Sequence, residues 1–350
     1  MIDLKEYGYL SPGDCETDGG IVARVSAVHR ERYEIICERG LSYARLKAGQ
    51  YYGKGETFPT TGDFVCIRFN PDGDSLILKT LPRKSYFSRL DPSSSGHAEQ
   101  AVAANFDDVF VMQSLNRDFN LKRLERYLAL GWQSGGNPAV ILTKTDLVEN
   151  PAPQIQEAER IAVGVPVFPV SARTGEGMEK LGAYLKPGKT AVFLGSSGVG
   201  KSSLVNALAG EEIMTVNGIR QSDGRGRHTT TYRQLVMLKS GVMIIDTPGM
   251  RELGMWDVAQ GLGSAFADVE QFIGQCKFLD CTHKNEPGCA ILGAIERGEL
   301  SPERWRSYQS LKNEAAYSDD KESYLQKKQQ WHKNIAKTNK QRQALNREGR

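Results

Sequence analysis

Gly195-Ser196-Ser197-Gly198-Val199-Gly200-Lys201-Ser202 has the spacing G-x-x-x-x-G-K-[ST], followed by Ser203. These residue types suit a polyphosphate. Glycines let the backbone turn tightly and aim successive N–H groups at phosphate oxygens, at the positive end of the helix that follows. The Lys201 ammonium can reach the β- and γ-phosphates, and the Ser202 hydroxyl can ligate Mg²⁺. Asp246-Thr247-Pro248-Gly249 begins forty-four residues after Ser202, at the end of the apolar stretch VMII. A carboxylate there can hold the same cation, and the Gly249 N–H can contact a γ-phosphate.

Cys276, Cys281, His283 and Cys289 follow with spacing C-x4-C-x-H-x5-C. Three thiolates and one imidazole within 14 residues suit a closed, tetrahedral, structural Zn²⁺ site with no vacant position for zinc catalysis. Such a metal would staple a loop-rich segment too small to fold alone. A disulfide is the competing use of these thiols, and a cytosolic setting disfavours it. Cys15, Cys37 and Cys66 stand apart and read as small apolar residues.

The elements that must carry these groups change character along the chain. Over residues 20–85, IVARVSAV, RYEIICE, LSYARLKA, DFVCIRF and SLILKTL alternate apolar and polar positions between turn residues. Five short strands without helical period predict a small β-barrel of the oligonucleotide-binding (OB) type, with an SH3-like barrel as the alternative. Arg24, His29, Arg30, Arg32, Tyr33, Arg39, Tyr43, Arg45 and Lys47 interleave bases with aromatics. That mixture suits RNA, and equally suits tyrosines that belong to the barrel core. From 105 to 260, apolar runs (DVFVMQSL, PAVILTKTD, VPVFPVSA, TAVFLGSS, VMIIDTPG) alternate with helical stretches. This predicts a parallel sheet covered on both faces, with its loops along one edge. The expected division is a barrel over 1–88, a linker over 89–104, an α/β domain over 105–260, a zinc-binding domain over 261–300 and a basic helical extension over 301–350.

Two loops of the α/β stretch point to the base. Thr143-Lys144-Thr145-Asp146 follows the run PAVIL and resembles the guanine-reading Asn-Lys-x-Asp of GTPases. An Asp carboxylate accepts from guanine N1–H and its exocyclic amine, and the Lys stem covers the ring. Thr143 stands in place of the usual Asn, which predicts a weaker contact to N7 and a weaker brace to the phosphate loop. Ser171-Ala172-Arg173, 25 residues beyond Asp146, resembles the loop that presents a backbone N–H to guanine O6. Both base-reading loops precede the phosphate loop, the reverse of the ordinary order, which is the signature of a circular permutation of the Ras-like fold. Surface termini that lie close together tolerate such a permutation. Over residues 20–310 the chain resembles the circularly permuted, small-ribosomal-subunit-dependent GTPase family. The resemblance implies a GTP hydrolase that assists late maturation of the small ribosomal subunit, is stimulated by that subunit, and uses one structural Zn²⁺ and Mg²⁺ with GTP.

Between the phosphate loop and Asp246, the basic, Gly-rich stretch 218–228 reads as a mobile loop. The threonine that closes on Mg²⁺ and γ-phosphate is expected to be Thr230, with Thr229 the alternative register. Met250 occupies the place of a water-orienting Gln, so slow intrinsic turnover is expected. The missing group would come from His228 or from the ribosomal partner.

Charge and composition agree with a polyanionic partner. The chain of 350 residues has net charge +3, but residues 321–350 carry +7 and the rest −4. Neither a long apolar run nor a signal-like N-terminus is present. The expectation is therefore a cytoplasmic monomer without membrane contact, partnered by the small subunit and its rRNA and by GTP/GDP. Two alternatives remain at this level. One is a GTP-gated RNA-binding switch acting on another RNA or protein. The other is an ATP-dependent protein in which the two base-reading loops are coincidental.

Overall fold

The computed structural model describes residues 1–10, 15, 20–29, 32–51, 56–90, 99–214, 233–246 and 259–315. The chain forms two compact units, Met1–Gly254 and Met255–Arg350.

In the first unit the five alternating segments form β1 (Ile21–Val28), β2 (Tyr33–Cys37), β3 (Gly40–Leu46), β4 (Phe64–Arg68) and β5 (Ser75–Thr80). A single helical turn, α1 (Ala48–Tyr51), follows β3. The pairing runs β1-β2-β3-β5-β4 and closes through β4 onto β1, antiparallel except for β3 with β5. This is the closed five-stranded barrel of the OB type. Ala23, Val25, Tyr33, Ile35, Val65, Ile67 and Ile77 fill it.

The described ends of the segment expected as a linker are paired: β6 (Tyr86–Leu90) and β7 (Glu99–Ala104) form an antiparallel two-stranded sheet. The α/β portion then runs β8 (Asp108–Ser114), α2 (Leu121–Gln133), β9 (Asn137–Thr143), α3 (Ala152–Ile161), β10 (Val167–Val170), α4 (Met178–Tyr184), β11 (Thr190–Gly195), α5 (Lys201–Ala209), β12 (Gln234–Met237) and β13 (Met243–Asp246). In space the strands are ordered β10-β9-β8-β11-β13-β12, with only β12 antiparallel. The strand leading into the phosphate loop thus sits mid-sheet although it comes fourth in sequence, which is the permutation in physical form. Phe110, Met112, Ile141, Phe193, Leu204 and Ile244 pack between sheet and helices, and Phe110 stacks on Phe193 at 5.4 Å.

Barrel and α/β sheet are continuous. β1 pairs with β12 at Ala27 and Gln234, giving one sheet of eleven strands. Beside this seam lies Arg24. Its neighbours Ala23 and Val25 face the barrel interior, so alternation points Arg24 outward, yet it is fully buried. Its guanidinium donates to the carbonyls of Tyr7, Gly62 and Asn105 and to Thr190 Oγ1 at the start of β11. Burial draws its pKa down to about 10, against the pull of Asp107 and Asp63. Gly62 fits here for a steric reason: a Cβ would fall 2.1 Å from the Ala104 carbonyl oxygen. Arg24 and Tyr33, counted above among possible RNA contacts, are therefore interior residues. Arg24→Met should leave these acceptors without a donor and cost about 3–5 kcal/mol, read as a lower midpoint in urea unfolding.

The second unit contains α6 (Ala259–Ala265), α7 (Ala267–Glu270), α8 (Ala290–Glu296) and a helix over 302–315. Phe266, Val269, Ile291, Trp305, Tyr308 and Leu311 form its interior. Arg304 clamps it, pairing with both oxygens of Asp268 at 2.9 Å and lying 4.0 Å over the Phe266 ring.

Candidate nucleotide and metal sites

Parallel strands bring their carboxyl ends to one edge, and register fixes which loops meet there: Ser114 pairs with Thr143, Thr143 with Val170, and Gly195 with Met112. The loops after β8, β9, β10 and β11 therefore converge. Gly195 leaves little room for a side chain, since a Cβ would meet Met112 and Val199 at 3.1 Å. Gly200 has φ +105° and delivers the chain into α5, whose first turn holds Lys201, Ser202 and Ser203. Beyond Gly198, where a Cβ would meet nothing within 4 Å, the loop is open.

Side chains from the neighbouring strands tie this loop down. Thr143 Oγ1 donates to the Val199 carbonyl at 2.5 Å, so the brace expected to weaken on replacing Asn is supplied by a hydroxyl. Lys144, in the left-handed region at φ 62°, reaches over the loop and donates to the Gly198 carbonyl at 2.6 Å. Thr145 is buried and bonded to Glu176 at 2.9 Å. The Asp146 carboxylate accepts from Ser171 Oγ at 2.7 Å and lies 3.7 Å from Arg173. The two loops expected to read the base thus meet each other, with Ala172 next in line, and Lys144 links them to loop 195–202.

Lys201 donates to the Asp246 carboxylate, which places Asp246 beside the first turn of α5 and its Ser202. A serine hydroxyl and a carboxylate are the hard oxygen donors that Mg²⁺ takes alongside phosphate. Thr230, Thr229, His228, Gly249 and Met250 lie outside the described residues, as does the basic tail beyond 315.

One residue that the sequence did not single out stands at this loop. Asp118, between β8 and α2, accepts from Ser196 Oγ and pairs with Arg123 at 3.0 Å. In the sequence it is one polar residue of the turn N-R-D-F-N, with no motif to mark it.

In the second unit the four predicted ligands converge. Their donor atoms lie within 4.8 Å of one another. Nδ1 of His283 is 3.4 Å from the sulfurs of Cys276 and Cys289 and 3.6 Å from that of Cys281, and Cys276 and Cys289 are 4.0 Å apart. A tetrahedron with Zn–S of about 2.3 Å and Zn–N of about 2.0 Å has edges of about 3.5–3.8 Å, so the donor set fits zinc. Loss of hydration opposes ionisation of Cys276, but N–H groups of Ala290 and Ile291 and the neighbouring thiols bring its pKa below the ordinary value. Glu286 shapes the loop. Its carboxylate accepts from the Thr282 hydroxyl and amide and from the Lys284 amide, bonds that draw its pKa down to about 2.

A Gly-rich loop between a mid-sheet parallel strand and a helix, in a permuted strand order, defines a P-loop nucleotide-binding protein of the α/β class. Residues 80–256 match the model of the RsgA GTPase family. Small ribosomal subunit biogenesis GTPase RsgA 1 of Listeria monocytogenes is 46% identical over 301 residues, 86% of this chain and 85% of its own length. The chain belongs to the RsgA GTPase family. The crystal structure of YjeQ from Thermotoga maritima superposes with TM-score 0.64 at 26% identity, over 85% of this chain and 99% of that one. YloQ, described as a circularly permuted GTPase, does so with TM-score 0.63 at 24% identity, over 85% and 95%, a likeness of fold. An ABC transporter model also matches residues 178–348. That stretch includes the phosphate loop but omits β8, β9 and β10, where the base-reading loops reside. Among the described residues no helix is long and apolar enough to cross a membrane.

Proposed function

We propose that this chain is a cytoplasmic, monomeric GTP hydrolase that binds the small ribosomal subunit through its RNA and assists its late maturation. The observation that carries the reading is the convergence of Asp146, Lys144 and Lys201 on one sheet edge, reached from β9 and β11, whose order in sequence the permutation reverses. In this reading Asp146 takes the two N–H groups of guanine, Lys144 covers the ring, and the Ala172 amide meets O6. Backbone N–H groups of 196–203 and the Lys201 ammonium hold the phosphates. Ser202, Asp246 and Thr230 would hold Mg²⁺, which supplies charge neutralisation on the β- and γ-phosphate oxygens. Water attacks the γ-phosphorus and the bond to the β-bridging oxygen breaks, giving GDP and phosphate. His228, or the docked subunit, orients that water in place of a Gln.

The name of the Listeria relative supplies the ribosomal partner. The outer face of the barrel supports an RNA contact: Tyr43 and Arg45 are exposed on β3, and the Arg32 guanidinium lies 3.8 Å over the Tyr43 ring. Zinc is assigned to Cys276, Cys281, His283 and Cys289 as a structural ion.

The test is single-turnover GTP hydrolysis alone and with purified small subunits, large subunits or transfer RNA, in the wild type and in His228→Ala. Stimulation of about a hundredfold or more by small subunits alone is expected, the lower end of what one positioned general base or water-orienting group contributes. Equal stimulation by the other RNAs would overturn the choice of partner, and an unchanged stimulated rate in His228→Ala would assign water orientation to the subunit.

A further inference from the structure

The phosphate loop is anchored from the turn after β8 by a group with no place in the scheme above. Ser196, its second residue, donates its hydroxyl to Asp118. Asp118 in turn is held firmly. Its own amide donates to Asn116 Oδ1 at 2.9 Å, itself bonded to the Ser114 hydroxyl at the end of β8. Its carboxylate pairs with Arg123, in the first turn of α2. Arg123 extends the chain of contacts to Gln113 Oε1 at 3.2 Å, while Asn120 caps α2 by accepting from the Arg123 amide at 3.0 Å. Gln113 is fully buried, and its backbone carbonyl faces the hydroxyl of Thr143, the residue that braces Val199. Ser196 and Val199 are thereby fixed from two strands, with Gly198 between them held by Lys144.

A polyphosphate cradle requires its N–H groups to converge before the ligand arrives, because ordering them afterwards costs binding energy. A carboxylate is an odd neighbour for such a cradle, since it adds negative charge near a tetra-anion. Arg123 offsets that charge. What the carboxylate gains is a strong, charge-assisted acceptor for the serine hydroxyl.

We propose that Asp118 is a positioning residue for the nucleotide: acting through Ser196, with Arg123 behind it, it sets the arch of the phosphate loop. This rests on the reading that loop 195–202 holds the phosphates of a nucleotide. Asp118 touches no reacting atom, so its loss should appear in KM and in the dissociation constant more than in kcat.

The experiment measures equilibrium binding of fluorescent GDP and steady-state GTP hydrolysis for wild type, Asp118→Ala, Asp118→Asn, Ser196→Ala and the Asp118→Ala/Ser196→Ala double variant, with thermal midpoints alongside. Asp118→Ala and Ser196→Ala should each weaken GDP about tenfold, the scale of one hydrogen bond to a charged group. The double variant should be no weaker than either single one, and Asp118→Asn, which keeps an acceptor oxygen, should recover most of the affinity. Multiplying losses in the double variant, an Asn variant as weak as Ala, or unchanged GDP affinity in Asp118→Ala would each overturn the proposal. Failure of the nucleotide reading itself would show differently, as a wild-type protein that binds no GDP.

Discussion

Asp146→Asn is expected to weaken GTP by about a thousandfold and to confer binding of xanthosine triphosphate. The wild-type carboxylate offers two acceptors to the two N–H groups of guanine, and a site built around buried polar complementarity rejects a mismatched partner by several orders of magnitude. The surroundings make the direction of the switch definite. Ser171 Oγ donates to one carboxylate oxygen at 2.7 Å, and an Asn side chain would keep its oxygen there to retain that bond. Its amide nitrogen would then point where the second carboxylate oxygen had been, opposing the guanine amine but matching the C2 carbonyl of xanthine. Competition binding with guanine, xanthine and adenine nucleotides reads the result. Undiminished GTP affinity, or loss without any gain for xanthine, would remove Asp146 from the base site. Undiminished ATP binding in the wild type would restore the ATP-dependent alternative.

Cys289→Ser is expected to have the second large effect, on the folding of the second unit. Cys289 is buried, lies at the start of α8 and shares the sulfur–imidazole cluster. Replacing it removes a ligand and not an outer partner, so zinc affinity should fall by more than the 10–100-fold typical of outer partners. Because binding of a structural metal is itself folding free energy, residues 276–297 should lose hydrogen-exchange protection on chelation. The Phe266–Trp305–Tyr308 core gives the helices over 259–270 and 302–315 support of their own, so they should keep more of theirs. Glu286, held at about 2 mainly by the Thr282 hydroxyl and amide, keeps its contribution to the loop above the ordinary carboxylate range and loses it only as pH falls from about 4.5 towards 2. Uniform exchange with and without metal would contradict the structural role.

Much of this architecture can be read from periodicity. The five barrel strands alternate because one face of each is interior, and the α/β strands are continuous apolar runs because both faces are covered. What periodicity cannot report is which outward face another part of the chain conceals. Arg24 looked like a surface base because its position in β1 points away from the barrel. The α/β sheet covers it there, a long-range fact invisible in residues 21–28. Tyr33 shows the converse, an aromatic on the inner face. The stretch around Asp-Pro-Ser-Ser-Ser-Gly read as a linker because its turn residues dominate, while the flanking YFSRL and EQAVAA pair with each other. Along the sheet edge, the motifs stand out in sequence because phosphate and base chemistry would dictate their fixed spacing. Asp118 was not, since any polar residue satisfies a surface turn, and only the three-dimensional approach of β8 to β11 brings it to Ser196.

The contact between Lys201 and Asp246 has a consequence for the order of loading. A polyphosphate that takes the Lys201 ammonium must part it from this carboxylate before gaining its own strongest electrostatic contact. A nucleotide accompanied by a divalent ion would remove the conflict, since Asp246 is a carboxylate that would hold the ion while Lys201 turns to the phosphates. Every charge would then keep a partner of opposite sign, and bare nucleotide would be at a disadvantage that chelated nucleotide does not share.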